Sequence, residues 1–152
     1  MDLGAAITWL RGKSNLPVWL IGHSRGTESA ISAGVLLGAA PRGPDGLVLA
    51  APVLRAMSFP GRRGKAVTEL DLDRLRAPTL TLIHEEDGCS SSPPNELHVL
   101  RERLPKDLPR EAIATISGGS AGRGICDVES YHSFSGRDDM ALDTIAEFVL
   151  RP

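Results

Sequence analysis

The sequence predicts an α/β domain with a mostly parallel sheet of about four strands flanked by helices. Short apolar runs that end at Gly or Pro alternate along the chain with longer segments whose apolar residues recur at helical spacing. A strand, a helix and a second strand follow one another within about 35 residues, which is the length of a parallel crossover unit. We find no internal repeat in the 152 residues and predict a single domain over residues 1–152.

The first half of the chain alternates helix and strand. Residues 1–11 place their apolar side chains on one helical face before Gly12, which predicts a short amphipathic helix. Residues 17–21 form an apolar run too short for a helix, as expected for a strand buried on both faces. Small and apolar residues predict a helix over 25–37 that packs closely on the sheet, and residues 47–51 predict a second buried strand.

The second half is predicted to hold an irregular segment, a helical turn, two further strands and two further helices. The irregular segment covers residues 52–68 and the helical turn residues 70–75. The strands are predicted at 79–83 and 112–116, and the helices at 96–104 and 140–150. The last helix is predicted to pack through one face made of Leu142, Ile145, Ala146 and Val149.

Composition excludes several classes of function. Because 17 Lys and Arg stand against 19 Asp and Glu, the chain has no basic excess for binding nucleic acid. Aromatic residues make up only 4% of the chain, so there is little material for stacking on bases. No apolar run approaches the roughly 20 residues that a membrane-spanning helix needs, and no export signal opens the sequence. We therefore expect a soluble protein without nucleic acid or membrane partners.

A candidate nucleophile lies where the first strand turns into its helix. Residues 22–26 read GHSRG, and a sharp turn at this point is expected to leave no space for side chains at the two outer glycines. Such a turn would raise the hydroxyl of Ser24 above the carboxyl end of the sheet. The backbone N–H of Arg25, at the start of the helix, would then point at an oxyanion.

A nucleophilic serine needs a base and an acid that orients the base. His132 lies between the fourth predicted strand and the last helix, and three carboxylates follow the third strand, at Glu85, Glu86 and Asp87. The order serine, acid, histidine along the chain is typical of folds with a nucleophile elbow. A metal site at residues 84–87 is disfavoured because the cluster lacks a second histidine at helical spacing. The remaining histidines, His23, His84 and His98, are interpreted as structural or exposed, and the glycine-rich residues 118–124 as a flexible loop rather than a phosphate site.

Over essentially all 152 residues the chain resembles the C-terminal half of an α/β-hydrolase, in particular a bacterial group of small serine esterases. The segments that carry the resemblance are GHSRG at 22–26, IHEEDGC at 83–89 with Pro93 and Pro94, SGG at 117–119, Cys126, and SYHSF at 130–134. The resemblance implies that Asp87 orients His132 and that His132 activates Ser24, without a cofactor or a metal.

The resemblance also implies that a front half of the fold, with roughly a hundred residues and four strands, has no counterpart here. In such folds a loop of that half donates the second oxyanion N–H, and the loss of one donor costs about 10²–10³ in turnover. The predicted strand at 18–21 would also become an exposed apolar edge. We therefore expect a homodimer that covers this edge, by pairing the two edges or by placing the helix that starts at Met1 over them.

The two cysteines lie on the loops that must meet if Asp87 contacts His132. We therefore predict a disulfide between Cys89 and Cys126 that closes about 37 residues and stabilises the fold by ~3–4 kcal/mol. A disulfide implies a periplasmic or secreted protein, and reduced thiols would imply a cytoplasmic one.

These features predict a serine hydrolase that cleaves small carboxylic esters through an acyl-enzyme. The alternative is an α/β-hydrolase-like domain without activity that serves as a binding or assembly module. A third, weaker interpretation is a truncated gene product without an independent role.

Overall fold

The computed structural model describes residues 2–59 and 62–151, and within these ranges the chain forms four helices and six strands. In chain order they are α1 (Leu3–Arg11), β1 (Trp19–His23), α2 (Gly26–Leu37), β2 (Gly46–Ala50), β3 (Ser58–Phe59), β4 (Arg62–Arg63), β5 (Thr79–His84), α3 (Leu97–Arg103), β6 (Glu111–Ile116) and α4 (Asp138–Leu150). Each predicted helix and long strand is present, with bounds that differ by a few residues.

The main sheet has four strands in the order β1-β2-β5-β6, and every neighbouring pair is parallel. Its register pairs Leu20 with Leu47, Val48 with Leu80, and Leu82 with Ala114. Because all four strands run in one direction, their carboxyl ends lie along the same edge of the sheet. The loops that follow the strands are therefore brought together at that edge. The parallel sheet with helices beside it confirms the predicted α/β class.

The strands in the middle of the sheet are buried on both faces. In β2 all five residues are buried, and they alternate between two groups of apolar side chains. Leu47 and Leu49 pack with Ile31 of α2, whereas Val48 packs with Phe148 of α4. Helices on both faces therefore explain why this strand reads as a continuous apolar run rather than as an alternating one.

The strand β1 was expected to be buried on both faces, and this expectation is wrong. It lies at the edge of the sheet, and in the described part of the chain only β2 pairs with it. Ile21 is 58% exposed, although Gly22 beside it is buried. The apolar run at the edge of the sheet is therefore only half covered, which agrees with the expectation of an exposed apolar edge.

The segment 52–68 is less irregular than predicted. It contains a short antiparallel hairpin of β3 and β4 and a 3₁₀ turn at Val67–Glu69. Strands of two residues are too short to show an alternating pattern, so the sequence gives no sign of them. Pro60 and Gly61, which belong to this predicted irregular segment, lie outside the described residues.

The buried face of α4 differs from the predicted one. Leu142 is 65% exposed and Ala146 is also exposed, whereas Ala141 and Phe148 are buried. Ile145 and Val149 pack against the core as expected. The buried face is thus formed by positions 141, 145 and 148, which are spaced for one side of a helix. The predicted set has the same spacing. Because both faces carry apolar residues, the sequence pattern does not show which of the two is buried.

The apolar face predicted for α1 is only partly buried. Ile7 is buried, but Leu10 and Trp9 are 43% and 62% exposed. In the described part of the chain no helix has the length and apolar character needed to cross a membrane.

Candidate active site

Ser24 lies on a sharp turn between β1, which ends at His23, and α2, which begins at Gly26. Its φ of 51° is in the left-handed region, which non-glycine residues seldom adopt. The backbone N–H of Ser24 donates to the carbonyl of Ala50 over 2.9 Å, which fixes the turn to the end of β2. Strained backbone of this kind is typical of functional sites.

The two glycines that flank the turn have different roles. A Cβ atom on Gly22 would lie 2.5 Å from the carbonyl oxygen of Gly26, so the close approach of strand and helix requires glycine there. A Cβ atom on Gly26 would have no atom within 4 Å. The prediction that the turn leaves no space at the outer positions is therefore confirmed for Gly22 and wrong for Gly26.

Thr27, which the sequence analysis did not single out, holds the turn from the helix side. Its hydroxyl donates to the carbonyl of Ser24 over 2.5 Å and accepts the N–H of Val53 over 3.3 Å. The side chain is fully buried. No sequence signal distinguished Thr27 from Ser29 and Ser32, the other hydroxyl residues of α2.

The structure brings Ser24, His132 and Asp87 into one line of hydrogen bonds. Nε2 of His132 lies 2.8 Å from Oγ of Ser24, and Nδ1 lies 2.8 Å from Oδ2 of Asp87. Because an ionised carboxylate only accepts, Nδ1 carries the proton, and Nε2 of the neutral ring is free to accept the proton of the Ser24 hydroxyl. This is the arrangement that lets a histidine act as a base toward serine.

Asp87 is the one of the three neighbouring carboxylates that contacts the imidazole. Its side chain is 0% exposed and that of His132 is 2% exposed, whereas Glu85 and Glu86 point into solvent. The second oxygen of Asp87, Oδ1, accepts the backbone N–H of Cys89 over 2.8 Å. Both carboxylate oxygens are thus satisfied, as a buried charge requires.

His132 lies on a 3₁₀ turn, Tyr131–Ser133, that ends at Phe134 with a left-handed φ of 60°. Nε2 of His23 donates to the carbonyl of His132 over 3.0 Å, and the two rings lie 5.2 Å apart. His23 is therefore hydrogen-bonded as predicted, but it is exposed rather than packed in the interior. It links the turn that carries Ser24 to the turn that carries His132.

The predicted disulfide is present. Cys89 and Cys126 are bonded, with a sequence separation of 37 and Cα atoms 4.8 Å apart. The bond joins the turn that carries Asp87 to the loop that leads to His132.

Arg25 occupies the position immediately before α2, a helix of 12 residues. Its backbone N–H is therefore at the positive end of the helix dipole and adjacent to Ser24. Its contribution to an oxyanion site stays a prediction.

Residues 84–87 do not converge on a common point. The side chains of His84 and Asp87 bond to Gly118 and His132 respectively. In the ranges that the structure describes, no group of three or more His, Cys, Asp and Glu side chains could hold a metal ion.

Solved structures with a similar fold include several hydrolases. One is a monoacylglycerol lipase of Paleococcus ferrophilus, with a TM-score of 0.61 and 15% identity over 97% of this chain and 74% of that one. A putative dienelactone hydrolase from Klebsiella pneumoniae gives a TM-score of 0.62 with 17% identity, over 99% of this chain and 60% of the other. The esterase domain of a Rhodothermus marinus protein gives 0.55 with 17% identity, over 95% and 66%.

No protein-family model and no curated protein matches the sequence. The chain spans 60%, 66% and 74% of the three solved structures, so each of them contains further residues without a counterpart here. The parallel sheet, the position of the Ser24 turn and these structural matches together show that the chain adopts a partial α/β-hydrolase fold.

Proposed function

We propose that the protein is a serine hydrolase that cleaves small carboxylic esters through an acyl-enzyme. The observation that carries the proposal is the pair of 2.8 Å contacts that connect Ser24 through His132 to Asp87. A buried carboxylate, an imidazole and a serine on a strained turn form a constellation with few uses other than nucleophilic catalysis.

In the proposed mechanism each of these groups has one role. The Ser24 Oγ attacks the acyl carbon of the ester while its proton moves to Nε2 of His132, and Asp87 stabilises the imidazolium that results. The backbone N–H of Arg25 donates to the oxyanion. The alcohol leaves with the proton held on Nε2, and a water activated by His132 then releases the acid from the acyl-enzyme. These steps need no cofactor.

The choice of esters is supported by the names of the structural neighbours, which are those of a lipase, an esterase and a dienelactone hydrolase.

The test is hydrolysis of p-nitrophenyl acetate by the protein and by Ser24→Ala at equal concentration and neutral pH. We expect release of p-nitrophenol that the variant does not catalyse above the buffer rate. An organophosphonate should add one covalent group to the protein, detected by mass spectrometry, and none to Ser24→Ala. Equal background rates and no labelling of the unsubstituted protein would contradict the proposal.

The second candidate is a binding or assembly module without activity. The observation that favours it is the edge position of β1, which pairs only with β2 among the described residues. An unlabelled Ser24 in a folded protein would favour this candidate over the hydrolase. A truncated product without an independent role would additionally fail to give a cooperative unfolding transition.

We further propose that β1 is covered by β1 of a second copy of this chain. The outer edge of β1 has no partner strand among the described residues, and Ile21 lies on it with 58% of its surface exposed. Exposed apolar edges are normally covered in native proteins, and antiparallel pairing of two identical edges closes a symmetric dimer.

Light scattering of the eluting protein should therefore give a dimer at micromolar concentration. Ile21→Lys places a charge on the edge and should shift the protein to the monomer. Leu142→Lys is the matched control, since Leu142 is 65% exposed on α4, and it should stay dimeric. A monomeric unsubstituted protein would contradict the pairing.

We also propose a periplasmic or secreted location, because the Cys89–Cys126 bond would persist only in an oxidising compartment.

A further inference from the structure

A buried imidazole that the mechanism above does not use lies at the end of β5. His84 is 0% exposed. Its Nδ1 accepts the backbone N–H of Glu86 over 3.1 Å, and its Nε2 lies 2.7 Å from the carbonyl oxygen of Gly118. The ring stacks on Tyr131 with the centroids 4.4 Å apart and the planes 11° from parallel.

These contacts define the protonation of the ring. A backbone N–H can only donate, so Nδ1 is an acceptor, and a carbonyl oxygen can only accept, so Nε2 carries the proton. His84 is therefore a neutral imidazole in one tautomer, with both nitrogens satisfied by backbone groups. It has no contact with Ser24.

The three partners of His84 belong to three segments of the candidate site. Glu86 adjoins Asp87 on the acid turn, and Gly118 follows β6. Tyr131 adjoins His132 on the base turn. One side chain thus contacts both the turn that carries the acid and the turn that carries the base.

We propose that His84 is a positioning residue that sets the acid turn and the base turn at the separation needed for the contact between Asp87 and His132. The expected effect of His84 on turnover rests on the proposed function. The contact it supports joins Oδ2 of Asp87 to Nδ1 of His132 over 2.8 Å and bridges two loops. A displacement of 1 Å in such a geometry can cost about 10²-fold in rate.

A phenylalanine at position 84 would remove the hydrogen bonds of His84 while keeping a ring of similar size. Phe would keep the stacking on Tyr131 but would leave the N–H of Glu86 and the carbonyl of Gly118 without their partner. Glu86 and Gly118 are exposed, so water would replace the ring nitrogens as their partners, and the two segments would no longer be linked through His84. Asn is the conservative variant, because its Oδ1 lies close to the position of Nδ1 and can accept the N–H of Glu86.

The experiment compares His84→Phe, His84→Asn and the matched control His98→Phe, since His98 is an exposed residue on α3. For p-nitrophenyl acetate we expect His84→Phe to lower kcat about 10²-fold with KM changed less than about twofold. His84→Asn should recover about tenfold of that loss, and His98→Phe should match the unsubstituted protein.

A second measurement does not depend on turnover. The proton that Nδ1 of His132 shares with Asp87 should give a far-downfield ¹H NMR signal in the unsubstituted protein and in His98→Phe. We expect the signal to be lost or moved upfield in His84→Phe and to be restored in part in His84→Asn. If the unsubstituted protein shows no Ser24-dependent activity, the proposed function fails and the NMR comparison alone decides on His84.

A folded His84→Phe that keeps both kcat and the downfield signal would overturn the positioning role. If His84→Phe does not fold, the comparison is made between His84→Asn and His84→Gln, which retains a donor toward Gly118 but no acceptor at the Nδ1 position. Signals in both variants that match the signal of the unsubstituted protein would overturn the proposal as well.

Discussion

Replacing Asp87 with asparagine is expected to lower the kcat of ester hydrolysis about 10⁴-fold, with little change in the free energy of unfolding. The side chain keeps its size and its place in the turn. Its Oδ1 can still accept the N–H of Cys89, which Asp87 accepts over 2.8 Å. The fold around the acid turn therefore has no reason to move.

The loss arises from the tautomer of His132. In Asp87→Asn the group that faces Nδ1 is an amide NH₂, which donates, so Nδ1 has to become an acceptor. The ring proton then lies on Nε2, which contacts Oγ of Ser24 over 2.8 Å. A protonated Nε2 cannot take the proton of the serine, and the nucleophile is no longer activated.

The measurement is kcat for p-nitrophenyl acetate together with the rate of organophosphonate labelling, and both should fall. Glu86→Gln is the matched control, because it changes an adjacent carboxylate that is exposed to solvent and should leave both rates unchanged. An Asp87→Asn variant within about tenfold of the unsubstituted protein would show that Asp87 does not orient the base.

The positions of the site residues could be predicted from the sequence because a parallel sheet gathers the carboxyl ends of its strands at one edge. Ser24 follows β1, Asp87 follows β5, and His132 follows β6 at a greater distance. Once these segments are recognised as parallel strands, the three side chains have to lie near one another. The choice among three adjacent carboxylates needed the resemblance, since the spacing alone leaves Glu85 and Glu86 open.

The contacts that hold the site could not be predicted in the same way. Thr27 and His84 act through backbone groups of loops that are distant in sequence, at Val53 and Gly118. The periodic spacing of apolar residues does not reveal such contacts, because they depend on the path of irregular segments. The exposure of Ile21 could be expected only from the resemblance, since an apolar run looks the same in a central strand and in an edge strand.

The second large effect is expected from removing the disulfide. The double variant Cys89→Ala/Cys126→Ser should lower the free energy of unfolding by about 3–4 kcal/mol, because the bond closes a loop of 37 positions in the unfolded chain. For a domain of this size that loss lowers Tm by roughly 10 °C. Alanine suits Cys89, which is 3% exposed, and serine suits the exposed Cys126.

Unfolding in urea with and without dithiothreitol provides the control. The reductant should destabilise the unsubstituted protein to nearly the level of the double variant and should leave the double variant unchanged. An unsubstituted protein that the reductant does not destabilise would contradict the predicted contribution of the bond.

The disulfide also bears on catalysis, because the N–H of Cys89 donates to Oδ1 of Asp87 and the bond fixes the backbone that carries this donor. His84 holds the same acid turn through Glu86, on the other side of Asp87 along the chain. With His84 in place, the folded double variant should therefore lose less of its kcat than His84→Phe does. A double variant that is fully folded yet as slow as Asp87→Asn would instead make the disulfide the main support of the contact between Asp87 and His132.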